Sequence, residues 1–233
     1  MASPLDNPAW TSLTGPHARF AQRHGQALRY DPDVATFAAL PDRPDAGVWS
    51  DVAALAGPGA IVPITTPHTP PADWEVVERF DAVQLVDDGV RVAEDAEDAE
   101  AVRLGVADVP EMLELVERTQ PGPFRPRTVE LGTYLGIRRD GALVAMAGER
   151  LHPPGWTEIS AVCTDPAHRG GGLATRLVLA VTAGIRARGE QALMHASATN
   201  TSAIRLYESL GFRLRKRFVI VLLRVPAAAN VHA

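Results

Sequence analysis

Residues 157–189 read TEISAVCTDPAHRGGGLATRLVLAVTAGIRARG, and the apolar pattern changes period across the three consecutive glycines in the middle. Before them, residues 157–164 have the short, β-branched character of a buried strand. After them, Leu173, Leu177, Val178, Val181 and Ile185 recur at helical spacing until Gly189 supplies a C-terminal stop. A strand that runs through glycines into a helix leaves several backbone N–H groups without partners at the positive end of that helix. Such a junction binds an anion, above all a pyrophosphate. Glycine suits it because a side chain there would hold the anion away or forbid the backbone angles of the turn. Two other phosphate loops fail on spacing. A P-loop needs Gly-Lys-Ser/Thr, and Lys216 is the chain's single lysine. A dinucleotide fingerprint starting at Gly170 needs a small residue where Thr175 stands and an acidic residue closing the next strand, whereas Glu190 precedes that strand.

The flanking sequence predicts a run of further elements. Residues 101–105 read as a strand, and Asp108 opens a helix carrying Met112, Leu113, Leu115 and Val116. After a proline-rich loop come strands over 134–138, 143–151 and 157–164, joined by turns at Asp140-Gly141 and Pro153-Pro154-Gly155. Past the glycine helix, 193–196 is a strand, Asn200 caps a helix running to Gly211, and two strands occupy 212–225. The expected order is β-α-β-β-β-α-β-α-β-β.

With RGGGLA at 169–174 fitting Arg/Gln-x-x-Gly-x-Gly/Ala, and NTSAIRLYESLGF placing Asn200, Tyr207, Gly211 and Phe212 in a second motif, the chain resembles the GNAT superfamily of N-acetyltransferases over about residues 101–225. The resemblance implies an α/β (α+β) GNAT acyltransferase fold, a mixed and mostly antiparallel sheet flanked by helices. It also implies acetyl-coenzyme A as donor, coenzyme A as product, and no metal. Arg169, Gly170, Gly171, Gly172, Leu173 and Ala174 would wrap the pyrophosphate. Ala161, Val162 and Cys163 would offer a strand edge to the pantetheine amides, at a bulge where two strands splay. Asn200 and Tyr207 would also touch the cofactor, with Tyr207 returning a proton to the leaving sulfur. Cys163 is expected to be a packed side chain and not a nucleophile.

An amine acceptor must lose a proton before it attacks, so a base is needed. Glu158, eleven residues before Arg169, stands where one GNAT branch resembling this chain keeps its glutamate base. His195, five before Asn200, stands where another branch carries a glutamate, and histidine can accept a proton near neutral pH. Both remain candidates. In related folds the loop before the second strand lines the acceptor site, which nominates Phe124, Arg125 and Arg127; the two arginines could hold a carboxylate. The acceptor is expected to be a small-molecule or peptide amine. The competing reading is a non-catalytic module that senses acyl-coenzyme A. Arg213, Arg215, Lys216 and Arg217 read as a solvated strand face.

Upstream, proline and glycine break the chain into short pieces that suggest a smaller N-terminal mixed α/β domain over 1–90. It is either an accessory unit or a degenerate copy of half an acetyltransferase. In the second case PADWEVVERF would stand as a helix and AVQLV as the last strand. The acidic run EDAEDAE marks a linker at 91–100, leaving 101–226 as the acetyltransferase domain and 227–233 as a tail. A net charge of −5 argues against nucleic acid as a partner. A lone cysteine, no signal-like start and no long apolar run lead to the expectation of a cytoplasmic protein away from membranes. No oligomeric state is implied.

Overall fold

The computed structural model describes residues 3–65, 68–92, 98 and 100–227. In chain order its first part contains α1 (Pro8–Leu13), β1 (Ala21–His24), β2 (Ala27–Tyr30), β3 (Ala38–Ala39), α2 (Val48–Ala56), β4 (Ile61–Ile64) and β5 (Glu75–Asp87). The second part contains β6 (Ala101–Leu104), α3 (Val109–Thr119), β7 (Tyr134–Arg139), β8 (Ala142–Glu149), β9 (Trp156–Thr164), α4 (Leu173–Ala187), β10 (Gln191–Ser197), α5 (Thr201–Leu210) and β11 (Phe212–Arg224). Helices α4 and α5 fall where periodicity put them. The Asn200 side chain accepts from Ala203 N at 3.1 Å, and Gly211 closes α5 in the left-handed conformation. Asp108 does not cap α3. Its carboxylate instead accepts from Gly105 N and from Arg138.

Both parts share a single sheet, ordered β1-β2-β3-β4-β11-β5-β10-β9-β8-β7-β6. The expected boundary near residue 90 therefore does not separate two cores. Strand β5 lies between β10 and β11, and its Val83 and Leu85 are buried in the same cluster as Leu177, Val181 and Ile185 of α4. Two further expectations fall with it. PADWEVVERF is not a helix, because from Glu75 onward it is the outer half of β5, paired with β11 in register Glu75↔Arg224 through Phe80↔Ile220. Adjacent β-branched Val76 and Val77 favour that extended choice. Residues 212–224 form one long strand where two were expected over 212–225, and the sheet position beside β10 is filled by β5.

The arrangement is a topological repeat. Strand β3 joins parallel β4 through α2, as β9 joins parallel β10 through α4, and each half then sends its last strand across to the other. Of the acidic run, 94–97 and 99 lie outside the described residues, as do 228–233 of the tail. Asp98 and Glu100 are described, and both pair with Arg176 on α4. No helix among the described residues is long and apolar enough to cross a membrane.

The first part is held against the second by a buried polar cluster. His17 is 2% exposed, bonds Tyr30 Oη through Nδ1 at 2.9 Å, and lies 4.7 Å from the His152 ring. Burial, reinforced by His152, pushes the His17 pKa down to about 3. The unfolded chain thus binds a proton at this position from its ordinary value of 6.5 downward, while the folded chain resists it until about 3. The stability from His17 is complete above pH 6.5 and declines through that window by about 1.4 kcal/mol per pH unit. Melting temperatures measured from pH 7 to pH 5 are expected to fall less steeply in His17→Gln than in the parent. Identical slopes would refute the assignment.

Candidate functional site

Strand β9 carries an irregularity that makes the site. Ala161 has φ of +53°, and the β8·β9 register slips between Met146↔Cys163 and Gly148↔Ser160, so β9 holds one extra residue. Simple alternation would put residues 159, 161 and 163 on one face. Instead Ile159 packs with α4, whereas Ala161 and Cys163 pack against Val109, Met112 and Leu115 of α3. The bulge also ends the pairing of β9 with β10, whose last pair is Ile159↔Met194. Beyond it β10 pairs only with β5, and β9 only with β8. The backbone of Ala161, Val162 and Cys163 thus borders a fork between two strands.

At the far end of β9, Gly170 and Gly172 take φ of +82° and +75°, and a Cβ on either would meet no atom within 4 Å. Gly172 precedes α4 without any side-chain cap. Among the described residues, the N–H groups of Gly170, Gly171, Gly172, Leu173, Ala174 and Thr175 have no acceptor. Arg169 stands beside them, its Nε bonded to Thr164 O at 3.2 Å. These amides and the positive end of a fifteen-residue helix surround open space.

His195 is the first β10 residue past the last β9 pair, at the vertex of the fork. Its Nδ1 lies 2.7 Å from Glu158 Oε1. Glu158 is wholly buried and its carboxylate is saturated. Arg150 donates to it from Nε at 2.9 Å and Nη2 at 2.6 Å, and Leu151 N donates at 3.2 Å. Burial alone would raise its pKa; Arg150, and after it His195, reverse this and hold the carboxyl far below the usual range. Burial likewise works against the charge on Arg150, and Glu158 more than restores it.

The other side of the ring is set by Gln84, which pairs with His195 across the sheet. Arg215 Nη1 donates to Gln84 Oε1 at 2.8 Å, which turns the Gln84 amide nitrogen toward Leu5 O at 3.0 Å and His195 Nε2 at 2.9 Å. Because that nitrogen is a donor, Nε2 accepts, and the ring proton sits on Nδ1 facing Glu158.

Tyr207 on α5 is buried beside Phe212, with no hydrogen bond to its hydroxyl among the described residues. Burial, and then the nearby Cys163, pushes its pKa up to about 12. The Cys163 thiol is itself pushed up to about 11, by burial. It therefore stays protonated and is a poor nucleophile.

A cleft of about 700 Å³, measured to its open mouth, leads from solvent to His195. Its walls include Arg150, Phe37 and Ile64, together with Phe218 and Lys216 of β11 and the Leu5–Ala9 segment. None of the three residues nominated for the acceptor reaches it. Phe124 is in the core, edge-on to Tyr134; Arg127 is engaged by Asp31 and Glu130; Arg125 borders a different hollow, beside β2 and α2. Conversely, the sequence reading missed Arg150, Gln84 and Lys216. Arg150 was within reach, since it faces Glu158 across the turn at Pro153-Pro154-Gly155, with Arg150 N bonded to Glu158 O. Gln84 and Lys216 gave no signal, because only the strand exchange brings them here.

Comparison with known proteins identifies the family. The FR47-like protein family model matches residues 134–221. A crystal structure described as a putative acetyltransferase from the GNAT family, from Novosphingobium aromaticivorans, superimposes with a TM-score of 0.87 and 41% identity, covering 98% of this chain and 100% of that one. A mycothiol acetyltransferase of Thermobispora bispora is 39% identical over 120 residues, which is 46% of this chain and 38% of that protein. The N-alpha-acetyltransferase RimI of Mycobacterium tuberculosis is 36% identical over 91 residues, 36% of this chain and 56% of that protein. The chain thus spans less than two thirds of the length of these two curated relatives.

Proposed function

The chain belongs to the GNAT family of acetyltransferases, and from that premise we propose that it moves an acetyl group from acetyl-coenzyme A directly onto the nitrogen of a small amine. Acetyl-coenzyme A fits the residues present: the free amides from Gly170 to Thr175 suit its pyrophosphate, and the open edge of Ala161, Val162 and Cys163 suits its amides. When bound it supplies the acetyl group as a thioester, activated toward attack.

The observation that carries the reading is the Glu158–His195 pair at the head of the cleft. Of the two candidate bases, His195 is favoured. Its Nε2 accepts from Gln84, and both residues line the cleft; an incoming amine would replace Gln84 and pass its proton to the ring. Glu158 orients the imidazole and stabilises the imidazolium formed, without itself taking the proton. A carboxylate already holding four donors, and held so far toward its anion, is a weak acceptor for a further proton. Tyr207 stays a neutral phenol at physiological pH and can donate to the departing sulfur. A protonated, buried Cys163 favours direct transfer over an acetyl-enzyme.

The test is thiol release from acetyl-coenzyme A across an unbiased amine panel, with the parent and Tyr207→Phe. The phenylalanine variant is expected to turn over more slowly, by about 10² or more, with acetyl-coenzyme A affinity little changed. Full activity in that variant would remove Tyr207 from the mechanism.

A further inference from the structure

The cleft carries an uncompensated positive charge. Lys216, Gln84 and His195 are register partners on the adjacent strands β11, β5 and β10, so all three project from one face of the sheet in a single row. Two strand spacings separate the outer members, roughly 10 Å between Cα atoms. Every other charge around the cleft has a partner: Arg150 is balanced by Glu158, and Asp6 by Arg215 at 2.7 Å. The Lys216 ammonium feels Asp6 at longer range but forms no ion pair among the described residues. Between the row and the opposite wall the surface is apolar, from Phe37, Pro63, Ile64, Phe218 and Ile220, and Phe218 also stands edge-on to the His195 ring at 5.4 Å.

We propose that the acceptor is a small apolar amine that also bears a carboxylate, of the kind a hydrophobic amino acid presents. Lys216 holds the acid while the amine meets His195. The proposal rests on the acetyl-transfer reading of the same site and adds the substrate class. A zwitterion suits this cleft better than a simple alkylammonium, because its carboxylate answers Lys216 and its apolar part covers Phe218 and Ile64. The Leu5–Ala9 segment closes one side, which fits a small molecule rather than a polypeptide. Arg125 and Arg127, the arginines the sequence offered for this carboxylate, point elsewhere; the charge comes from β11.

The experiment compares matched acceptors, L-phenylalanine against phenethylamine and 4-(aminomethyl)benzoate against benzylamine, by thiol release from acetyl-coenzyme A. The parent is expected to favour the acid member of at least one pair in kcat/KM. Lys216→Met should raise KM for that acid on the order of 10- to 100-fold, the loss of one charge-assisted hydrogen bond, and bring the acid-to-amine ratio toward one. Arg217→Met, the same charge removal on the opposite face of β11, should leave that ratio as in the parent. Equal use of both members of each pair, or a KM untouched by Lys216→Met, overturns the proposal while leaving acetyl transfer intact. If acetyl-coenzyme A binds and no amine turns over, the transferase reading fails separately. Saturation-transfer NMR of N-acetylphenylalanine against N-acetylphenethylamine then decides the cleft chemistry, and binding that does not depend on Lys216 overturns it.

Discussion

Gly172→Glu abolishes binding of acetyl-coenzyme A. Three effects act together at this position. The residue has φ of +75°, which costs an L-amino acid roughly 1–2 kcal/mol. The new side chain enters the open space above the turn, where no atom now lies within 4 Å of a Cβ. Its charge also stands among amides whose value to a ligand is their positive potential. Calorimetry is expected to show no measurable affinity for acetyl-coenzyme A, with Gly172→Ala weakened to an intermediate degree because it retains only the backbone strain. The exposed position keeps the Glu variant folded, which circular dichroism checks. Parent-like affinity in a folded Gly172→Glu protein would show that the pyrophosphate lies elsewhere.

His195→Ala is expected to lower kcat by about 10² to 10⁴, with affinity for acetyl-coenzyme A close to that of the parent. Glu158→Gln behaves differently. It leaves the Arg150 guanidinium buried without its counter-charge, so the first consequence is a loss of stability of about 3–5 kcal/mol, not a clean kinetic defect. The pair of variants separates the two candidate bases. Were Glu158 the base, the folded fraction of Glu158→Gln would lose turnover at neutral pH and recover where free amine is abundant, while His195→Ala would remain active. His195→Ala is expected here to be folded and inactive, and the instability of Glu158→Gln, which follows from Arg150 in either case, does not bear on the choice.

The strand-glycine-helix passage was legible because it is local. Three glycines and a 3.6-residue period need no distant partner, and α4 with its uncapped start formed as read. Asn200, Gly211 and the intervening helix were legible for the same reason. The identity of the strand next to β10 was not, because that place can be filled by any extended segment the topology delivers. Here it goes to residues 75–87, from the other half of the chain. The roles of Gln84, Lys216 and the Leu5–Ala9 segment follow from that exchange and have no trace in spacing. Glu158 shows the complementary limit. Its position on β9 follows from the sequence, but its surroundings do not: Arg150 across the hairpin holds it as a buried anion beside His195, and our proposal of His195 as the base rests on that contact. The same exchange splits the basic run on β11: Arg213 is a surface residue paired with Asp88, Arg215 secures Gln84, and Lys216 faces the cleft.

The central claim, direct acetyl transfer to an amine, is tested most directly by mass spectrometry of a complete reaction containing the protein, acetyl-coenzyme A and the amine panel. Acetylated amine is expected in proportion to the coenzyme A released, with no acetyl group retained on the protein. Tight binding of acetyl-coenzyme A without any acetylated amine would contradict the claim and leave a sensor of the cofactor. An acetyl group trapped on Cys163 would contradict its directness.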